Sequence, residues 1–579
     1  MANQYSDEKH IQILIALLKS HGVKKVVASP GATNVTLVTS MRRDSWFEMY
    51  SAVDERSAAY IACGLSAESG EPVIISCTGA TASRNYLPGL TEAFYRKLPV
   101  LAITSTQILA KVGHHVAQVI DRSSMQKDVV KLSLSLPLIK DDDDLWECEI
   151  KANRAILELT RHGGGPVHIN LPTTYNQSFS VTELPAVRKI ERVTIVKKFP
   201  ALNGRVAVFI GSHSNFTKED ESALDAFCAT NNAVVFCDHT SGYKGKYRVL
   251  FTLPGCQLYF DGSLSPDIVI SIGEITGDYY NLCARGGEIW RVSEDGELRD
   301  TYRKLKYVFE MPEKLFFEQY AKEGNTSKDT YLQTCKTKLD ELYQKLPELP
   351  YSNIWLASKT AHRIPDNSTI HFGILNSLRS WNFFELPKSV ESASNVGGFG
   401  IDGGLSSLLG ASLANKQKLY FCVLGDLAFF YDMNALGNRH VGNNLRIMLV
   451  NNGKGTEFRQ YKHHAANLGD EADEFVAAAG HFGNKSRQLV KHYAEDLGFD
   501  YLCAGNEEEF EAVVDKFLVS GVTLRPILLE VFTNSEEEAE ALKIMMNLEE
   551  QGVKGKTKEA LKQFVGDNNL KGIKKLFGR

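Results

Sequence analysis

No stretch of the 579-residue chain is apolar for long enough to cross a bilayer. No basic excess marks it for nucleic acid either: 65 Lys and Arg stand against 70 Asp and Glu, a formal net charge of −5. Cys-x-x-Cys pairs are missing. The ten cysteines are scattered, and Cys77, Cys237 and Cys422 sit inside apolar runs, so they read as buried free thiols in a reducing compartment rather than zinc ligands or disulfides. The first ten residues are polar with two acids, unlike a secretory signal. The expectation is a cytoplasmic protein with no transmembrane segment and no nucleic-acid partner. What is present is an ordinary globular composition, 43% hydrophobic and 23% charged, with room for roughly three or four domains.

Two apolar runs carry the chemistry. Leu419-Tyr420-Phe421-Cys422-Val423-Leu424 ends at Gly425-Asp426-Leu427, and Leu445-Arg446-Ile447-Met448-Leu449-Val450 ends at Asn451-Asn452-Gly453. Both read as buried parallel strands, with residues 431–438 as the crossover helix of a βαβ unit. Asp426 and Asn452 then emerge at the carboxyl edge of the sheet, where ligands bind. A carboxylate, an amide oxygen and the Lys454 carbonyl suit a hard magnesium ion that also holds phosphate oxygens. The pairing resembles the metal–diphosphate clamp of thiamine diphosphate enzymes.

The rest of the chain alternates strands and helices in three α/β blocks, implying parallel sheets covered on both faces. In the first, a helix at 8–21 precedes strands at 25–28, 72–77, 100–104 and 166–171, and the acidic run at 141–144 reads as a solvated helix start. Residues 187–198 look like a linker. The second block, with strands at 206–210, 233–237 and 268–272, has no dense set of catalytic residue types and reads as mainly structural. The third holds the clamp and the loop Gly397-Gly398-Phe399-Gly400-Ile401-Asp402-Gly403-Gly404, which lets backbone approach a ligand and offers N–H groups to phosphate. Residues 554–579 form a basic amphipathic tail. The divisions are 1–185, 186–345, 346–553 and 554–579.

In this order the segments resemble the thiamine diphosphate-dependent decarboxylase and carboligase superfamily. The likeness is greatest to the menaquinone-pathway synthases of 2-succinyl-5-enolpyruvyl-6-hydroxy-3-cyclohexene-1-carboxylate. It rests on Val53-Asp54-Glu55-Arg56, Gly165-Pro166-Val167-His168-Ile169-Asn170, Ser293-Glu294-Asp295-Gly296, Asn376-Ser377-Leu378, Gly400-Ile401-Asp402-Gly403 and Gly425-Asp426-Leu427. The resemblance implies three consecutive doubly wound parallel-sheet domains, with a thiamine diphosphate-binding fold at both ends and a Rossmann-like domain between. It implies thiamine diphosphate and Mg2+ as cofactors. It further implies a homodimer or tetramer with active sites shared between subunits, and chemistry that decarboxylates a 2-oxo acid and transfers the acyl carbanion to a carbonyl or enone acceptor. A simple decarboxylase releasing an aldehyde, or a non-catalytic relative used for assembly, are the alternatives.

Residue by residue, Glu55 is assigned as the carboxyl that exchanges a proton with the aminopyrimidine ring, a role that calls for a water-poor pocket. Pro30, Gly31 and Thr78 contact the cofactor on that side. Ile401, beside Gly400, props it in a bent form. Asn376, Ser377, Gly425, Leu427, Ala428, Gly455 and Thr456 line the diphosphate, while Asp426, Asn452 and the Lys454 carbonyl are the metal ligands. His114 and His115 could shuttle protons, Gln118 falls on the substrate side, and Glu457 is a second proton donor. Lys462-His463-His464 reads as a surface cluster, because adjacent helical histidines diverge by about 100°. No glycine fingerprint for flavin follows Val206, so none is expected.

The sequence also departs from the family. Substrate-holding arginines are absent at Ala32-Thr33-Asn34, near Trp381 and at Val396, and no other side chain reproduces a bidentate fork. Arg56, Arg122, Arg379, Lys454 and Arg459 remain as basic groups for an anionic substrate.

Overall fold

Short Val- and Ile-rich runs form the strands of the amino-terminal part. They are β1 (Lys25–Ala28), β2 (Glu48–Ser51), β3 (Val73–Cys77), β4 (Val100–Thr106), β5 (Leu132–Ser135) and β6 (Val167–Pro172). In this computed structural model, which describes residues 4–95, 97–257, 262, 264–278, 286–323, 329–480 and 486–549, they make one sheet of order β2-β1-β3-β4-β6-β5. Every pair in it is parallel. Alternate residues feed two cores. Val26, Ile74, Leu101 and Ile169 join the cluster that includes Ile11, Leu14 and Leu18 of the helix Lys9–Ser20. Val27, Val73, Ile75 and Val100 join the cluster with Ala58, Ala59 and Ala62 of the helix Glu55–Ser69. Burial on both faces is why these strands read as continuous apolar runs.

Two compact units divide the chain: one runs to Lys198 and takes in Asp295–Glu310, the other combines Phe199–Glu294 with the chain from Met311 onward. The segment at 187–198 corrects the linker reading. It contains β7 (Glu191–Val193), parallel to β13 (Leu305–Glu310) in the same unit. There Arg192 and Arg161 both pair with Glu310, at 2.7 and 3.1 Å, which anchors a strand whose sequence is too short and too charged to announce itself.

The second unit holds two sheets. In the first, β8 (Val206–Ile210), β9 (Val234–Cys237), β10 (Arg248–Leu250), β11 (Ile268–Ile272) and β12 (Glu288–Ser293) take the order β10-β9-β8-β11-β12. In the second, β14 (Thr369–Phe372), β15 (Glu391–Ser394), β16 (Tyr420–Gly425), β17 (Leu445–Asn451), β18 (Asp500–Ala504) and β19 (Ile527–Phe532) take the order β15-β14-β16-β17-β19-β18. That order repeats the amino-terminal sheet strand for strand: second, first, third, fourth, sixth, fifth. The architecture is therefore α/β with three parallel sheets.

The crossover after β16 corrects the expected helix at 431–438. The helix is Asp426–Asp432, followed by a 3-10 stretch, Met433–Gly437. It starts early because extended Gly425 caps it and Asp426 Oδ1 accepts the Leu427 N–H at 2.8 Å. Eight of the nine described cysteines are buried, and none of the nine is in a disulfide among the described residues. No helix among the described residues is long and apolar enough to cross a membrane. The tail at 554–579 lies outside the described residues.

Candidate functional site

The shared strand order fixes where loops diverge. Chain leaving β1 and β3, and chain leaving β14 and β16, turns to opposite sides of its sheet, which opens a crevice at the carboxyl ends. The expected site residues fall on these loops and on those of the flanking strands. Pro30, Gly31, Glu55, Thr78, His114, His115 and Gln118 follow β1 to β4; the expected residues from Asn376 to Glu457 follow β14 to β17. A glycine sits at both crevices because backbones converge. A Cβ on Gly31 would overlap the Thr78 Cβ, and one on Gly373 would stand 3.1 Å from the Leu424 Cβ.

In the second unit, Asp426 is 5% exposed. Its Oδ2 accepts the Gly453 N–H at 2.7 Å, tying the end of β16 to the loop after β17. Burial lifts its carboxyl to about 6, against the pull of the backbone N–H groups. One residue before Gly453, the Asn452 Oδ1 is buried with no hydrogen-bond partner among the described residues. The Lys454 carbonyl accepts the Thr456 N–H at 2.8 Å, and the buried Thr456 Oγ1 also has no partner among the described residues. At Gly397, Gly398, Gly404 and Gly425 no atom of the described residues stands within 4 Å of where a Cβ would be, so the backbone there borders open space among them. Ile401 packs against the core cluster of this sheet, and Ala428 is buried within it. Leu427 Cδ1 lies 3.3 Å from the position a Cβ on Gly455 would take.

Asn376 opens the helix Asn376–Trp381. Its Oδ1 accepts from Gln460 Nε2 at 2.8 Å and its Nδ2 donates to Glu538 Oε2 at 3.4 Å. Ser377 Oγ accepts from Asn353 Nδ2 at 3.4 Å, and the Asn353 N–H donates to Glu538 Oε1 at 3.0 Å. Glu538, fully buried, is thus the hub beneath this loop, and burial raises its carboxyl to about 7. Sequence reasoning missed Glu538, Gln460 and Asn353. They lie on segments with no motif, and only a long-range fold makes them neighbours.

Several polar groups expected near substrate are already engaged. Glu457 accepts from both Arg379 Nη atoms at 2.8 Å, so the structure shows it as an acceptor. The Lys454 ammonium is bound to Asp473 at 2.7 Å, and Arg459 pairs with Asp470 and Asp473, both at 3.2 Å. His463 and His464 correct the divergence argument: His463 caps a 3-10 stretch instead of sitting on an α-helix, and the rings stack at 4.8 Å. No group of three or more His, Cys, Asp and Glu among the described residues could hold a metal ion. The buried turn after β9 is structural: His239 bridges the Trp381 and Phe384 carbonyls at 3.0 Å, and burial holds it neutral at about 3.

In the first unit, Glu55 begins its helix half-buried, with Asp54 capping the N–H groups of Arg56 and Ser57 and with Asn85 Nδ2 3.5 Å from Oε2. Thr78 Oγ1 lies 2.7 Å from Thr33 Oγ1. Pro30, His114, His115 and Gln118 are exposed. Gly113, His115 and Gln118 adopt left-handed φ of 83°, 54° and 62°.

Residues 9–125 match the thiamine pyrophosphate enzyme, N-terminal TPP binding domain. The chain is 32% identical to the 2-succinyl-5-enolpyruvyl-6-hydroxy-3-cyclohexene-1-carboxylate synthase of Bacteroides fragilis, over 93% of this chain and 98% of that protein. The synthase of Phocaeicola vulgatus is also 32% identical, with the same coverage. Among solved structures, the Rhodococcus jostii RHA1 thiamine diphosphate-dependent 4-hydroxybenzoylformate decarboxylase aligns with 91% of this chain and 99% of its own, at 17% identity and a TM-score of 0.40. The identity to the two synthases over nearly the whole chain, with the matched amino-terminal domain, places the chain in the thiamine diphosphate-dependent enzyme family to which the 2-succinyl-5-enolpyruvyl-6-hydroxy-3-cyclohexene-1-carboxylate synthases belong.

Proposed function

We propose that the protein is a magnesium- and thiamine diphosphate-dependent enzyme that decarboxylates a 2-oxo acid and passes the acyl unit to a carbonyl or enone acceptor. The observation that carries this reading is the buried Asn452 Oδ1, without a hydrogen-bond partner among the described residues, next to the Gly453 N–H that holds Asp426. Leaving such an acceptor unmet costs roughly 1–3 kcal/mol. A divalent cation would satisfy it and favour the ionised form of the buried Asp426 carboxyl. Carboxylate, amide and carbonyl oxygens from Asp426, Asn452 and Lys454 suit magnesium, which keeps further positions for phosphate oxygens. Asn376, Ser377, Gly425, Leu427, Ala428, Gly455 and Thr456, with the open backbone at 397–404, fit the diphosphate.

When bound, thiamine diphosphate supplies the nucleophilic carbon and the electron sink for loss of carbon dioxide. The chain's own groups do the rest. Glu55 holds and returns a proton at the pyrimidine ring. Pro30, Gly31, Thr78 and Ile401, with Gly400, would hold the cofactor, while His114, His115 and Gln118 would face substrate. Substrate preference departs from that of the synthases. Trp381 is fully buried, Val396 is in the core, and Thr33 and Asn34 are spent on the carbonyls of Ser105 and Ser29.

We further infer a homodimer or dimer of dimers with shared sites, in the cytoplasm, with domains at 1–185, 186–345 and 346–553 and a tail at 554–579. Val53, Tyr60 and Ile61, close to Glu55 in sequence, are exposed by 79%, 47% and 47%, an apolar surface that a second copy would cover. Calorimetric titration with thiamine diphosphate and Mg2+ tests the cofactors; no heat of association refutes the reading. Incubation with pyruvate, 2-oxoglutarate or phosphonopyruvate, with and without aldehydes, tests the reaction. Carbon dioxide release without a new carbon–carbon bond identifies a simple decarboxylase instead.

A further inference from the structure

Five basic side chains were candidates for an anionic substrate, and the structure separates one from the others. Arg379, Lys454 and Arg459 are paired with carboxylates. Arg56 is largely exposed and lies 3.5 Å from Asp54. Arg122 is 2% exposed and forms no ion pair with an acid among the described residues. One of its nitrogens, Nη2, donates to the Ser105 carbonyl at 3.0 Å and to Asn170 Oδ1 at 3.3 Å, which fixes the guanidinium across the ends of β4 and β6. Its Nε and Nη1 are buried with no partner among the described residues, and so is the Oγ of Ser105.

The ionisable neighbours do not compensate that charge. Burial pushes the Cys77 thiol up to about 12. His168, fully buried between Thr104 and Ser133, is held neutral at about 3 by burial, assisted by the Arg122 charge itself. Arg84 adds a second positive charge and donates to the Asp121 carbonyl at 3.2 Å. The acid next in sequence, Asp121, is exposed and spent on Ser123. Burial lowers the guanidinium only to about 10, so it stays charged at neutral pH. A buried cation without an anion is strongly unfavourable, and arginine offers a rigid fork that matches a carboxylate or phosphonate.

We propose that Arg122 is the anion-recognition residue of this site, gripping through Nε and Nη1 a carboxylate or phosphonate of the substrate that is not the one lost in the reaction. The inference rests on the proposed function. A cation on the scissile carboxylate would stabilise charge that disappears in the transition state and slow the step, so the group held is a non-reacting one. A Cβ on Gly79 would stand 3.0 Å from the Gln118 carbonyl and 3.8 Å from Arg122 Nη2, so the guanidinium lies close to the loop that carries the exposed His114, His115 and Gln118.

The test uses the full chain with thiamine diphosphate and Mg2+, as wild type, R122Q and R122K. Thermal melts with glutarate, which has two carboxylates and no reactive carbonyl, are compared with chloride at equal ionic strength. Steady-state kinetics compare 2-oxoglutarate and phosphonopyruvate with 2-oxobutyrate, which lacks the second anion. The expected result is a glutarate-dependent rise in melting temperature that R122Q abolishes. KM for the two dianionic donors should rise by about 10- to 100-fold while kcat/KM for 2-oxobutyrate stays unchanged, with R122K in between. An R122Q protein that keeps the glutarate shift, or loses all donors equally, overturns the proposal. So does failure of both variants to fold, which would make Arg122 a staple between strands. Should wild type turn over no 2-oxo acid yet show an Arg122-dependent glutarate shift, the proposed function fails and the anion site stands.

Discussion

Replacing Glu538 by Gln tests whether a buried carboxyl organises the Asn376–Ser377 loop. The carboxyl accepts from Thr533 Oγ1 at 2.8 Å, the Asn353 N–H at 3.0 Å and Asn376 Nδ2 at 3.4 Å. Burial nonetheless wins over these donors and raises it from 4.5 to about 7. A native carboxyl raised above its unfolded value is a destabilising acid once ionised. Its cost is absent below pH 4.5, grows as pH rises toward 7, and is complete above it. At 1.36 kcal/mol per pH unit the full cost is about 3 kcal/mol. The amide of E538Q does not titrate, although it sets an N–H against one donor at a roughly constant penalty. The stability of E538Q relative to wild type should therefore improve by about 3 kcal/mol between pH 4.5 and pH 8, whatever its starting value. Urea unfolding of the cofactor-free proteins across that range measures it. A stability difference that stays constant, or that shifts against E538Q as pH rises, refutes the argument.

Four further outcomes follow from the same geometry. E538A should leave Asn376 held by Gln460 alone and weaken thiamine diphosphate binding by roughly tenfold, the equivalent of one lost charged hydrogen bond, read by calorimetry. N452A should leave the metal-free protein as stable as wild type or about 1 kcal/mol more so, because it removes an unmet acceptor, yet abolish any stabilisation by Mg2+ and diphosphate in thermal melts. Arg379 and Glu457 have side chains 12% and 19% exposed. R379A and E457A should each cost about 2 kcal/mol in urea unfolding and the double variant less than the sum, as partners in one ion pair do. G31A should lower the melting temperature by several degrees, because its Cβ would overlap the Thr78 Cβ; unchanged melting would show that the two loops can separate.

Much of the scaffold was legible because its strands are buried on both faces. The runs at 206–210 and 268–272 match β8 and β11 residue for residue, and the acidic run at 141–144 does start a helix, with Asp141 capping Asp143 and Asp144. Less legible were elements held by partners remote in sequence. β7 is three residues long and exists because β13 and the Arg192–Glu310 pair hold it. The helix after β16 begins before its apolar pattern does, set by a cap and a backbone approach. The stacking of His463 on His464 depended on a 3-10 cap that helical periodicity does not describe.

For the candidate site the division is sharper. Gly425, Asp426 and Asn452 were placed at strand ends by apolar periodicity, and they do stand at the carboxyl ends of β16 and β17, whereas Glu55 was assigned only through the family resemblance. Whether Arg122 is paired, whether Glu457 is free, and which buried acid supports Asn376 depend on side chains brought together across intervals of 17 to 162 residues. Local patterning decides which segments become strands and where their polar ends lie. Pairing, burial and the charge left uncompensated are properties of the folded whole, because each is set by neighbours the chain meets only once its sheets have formed.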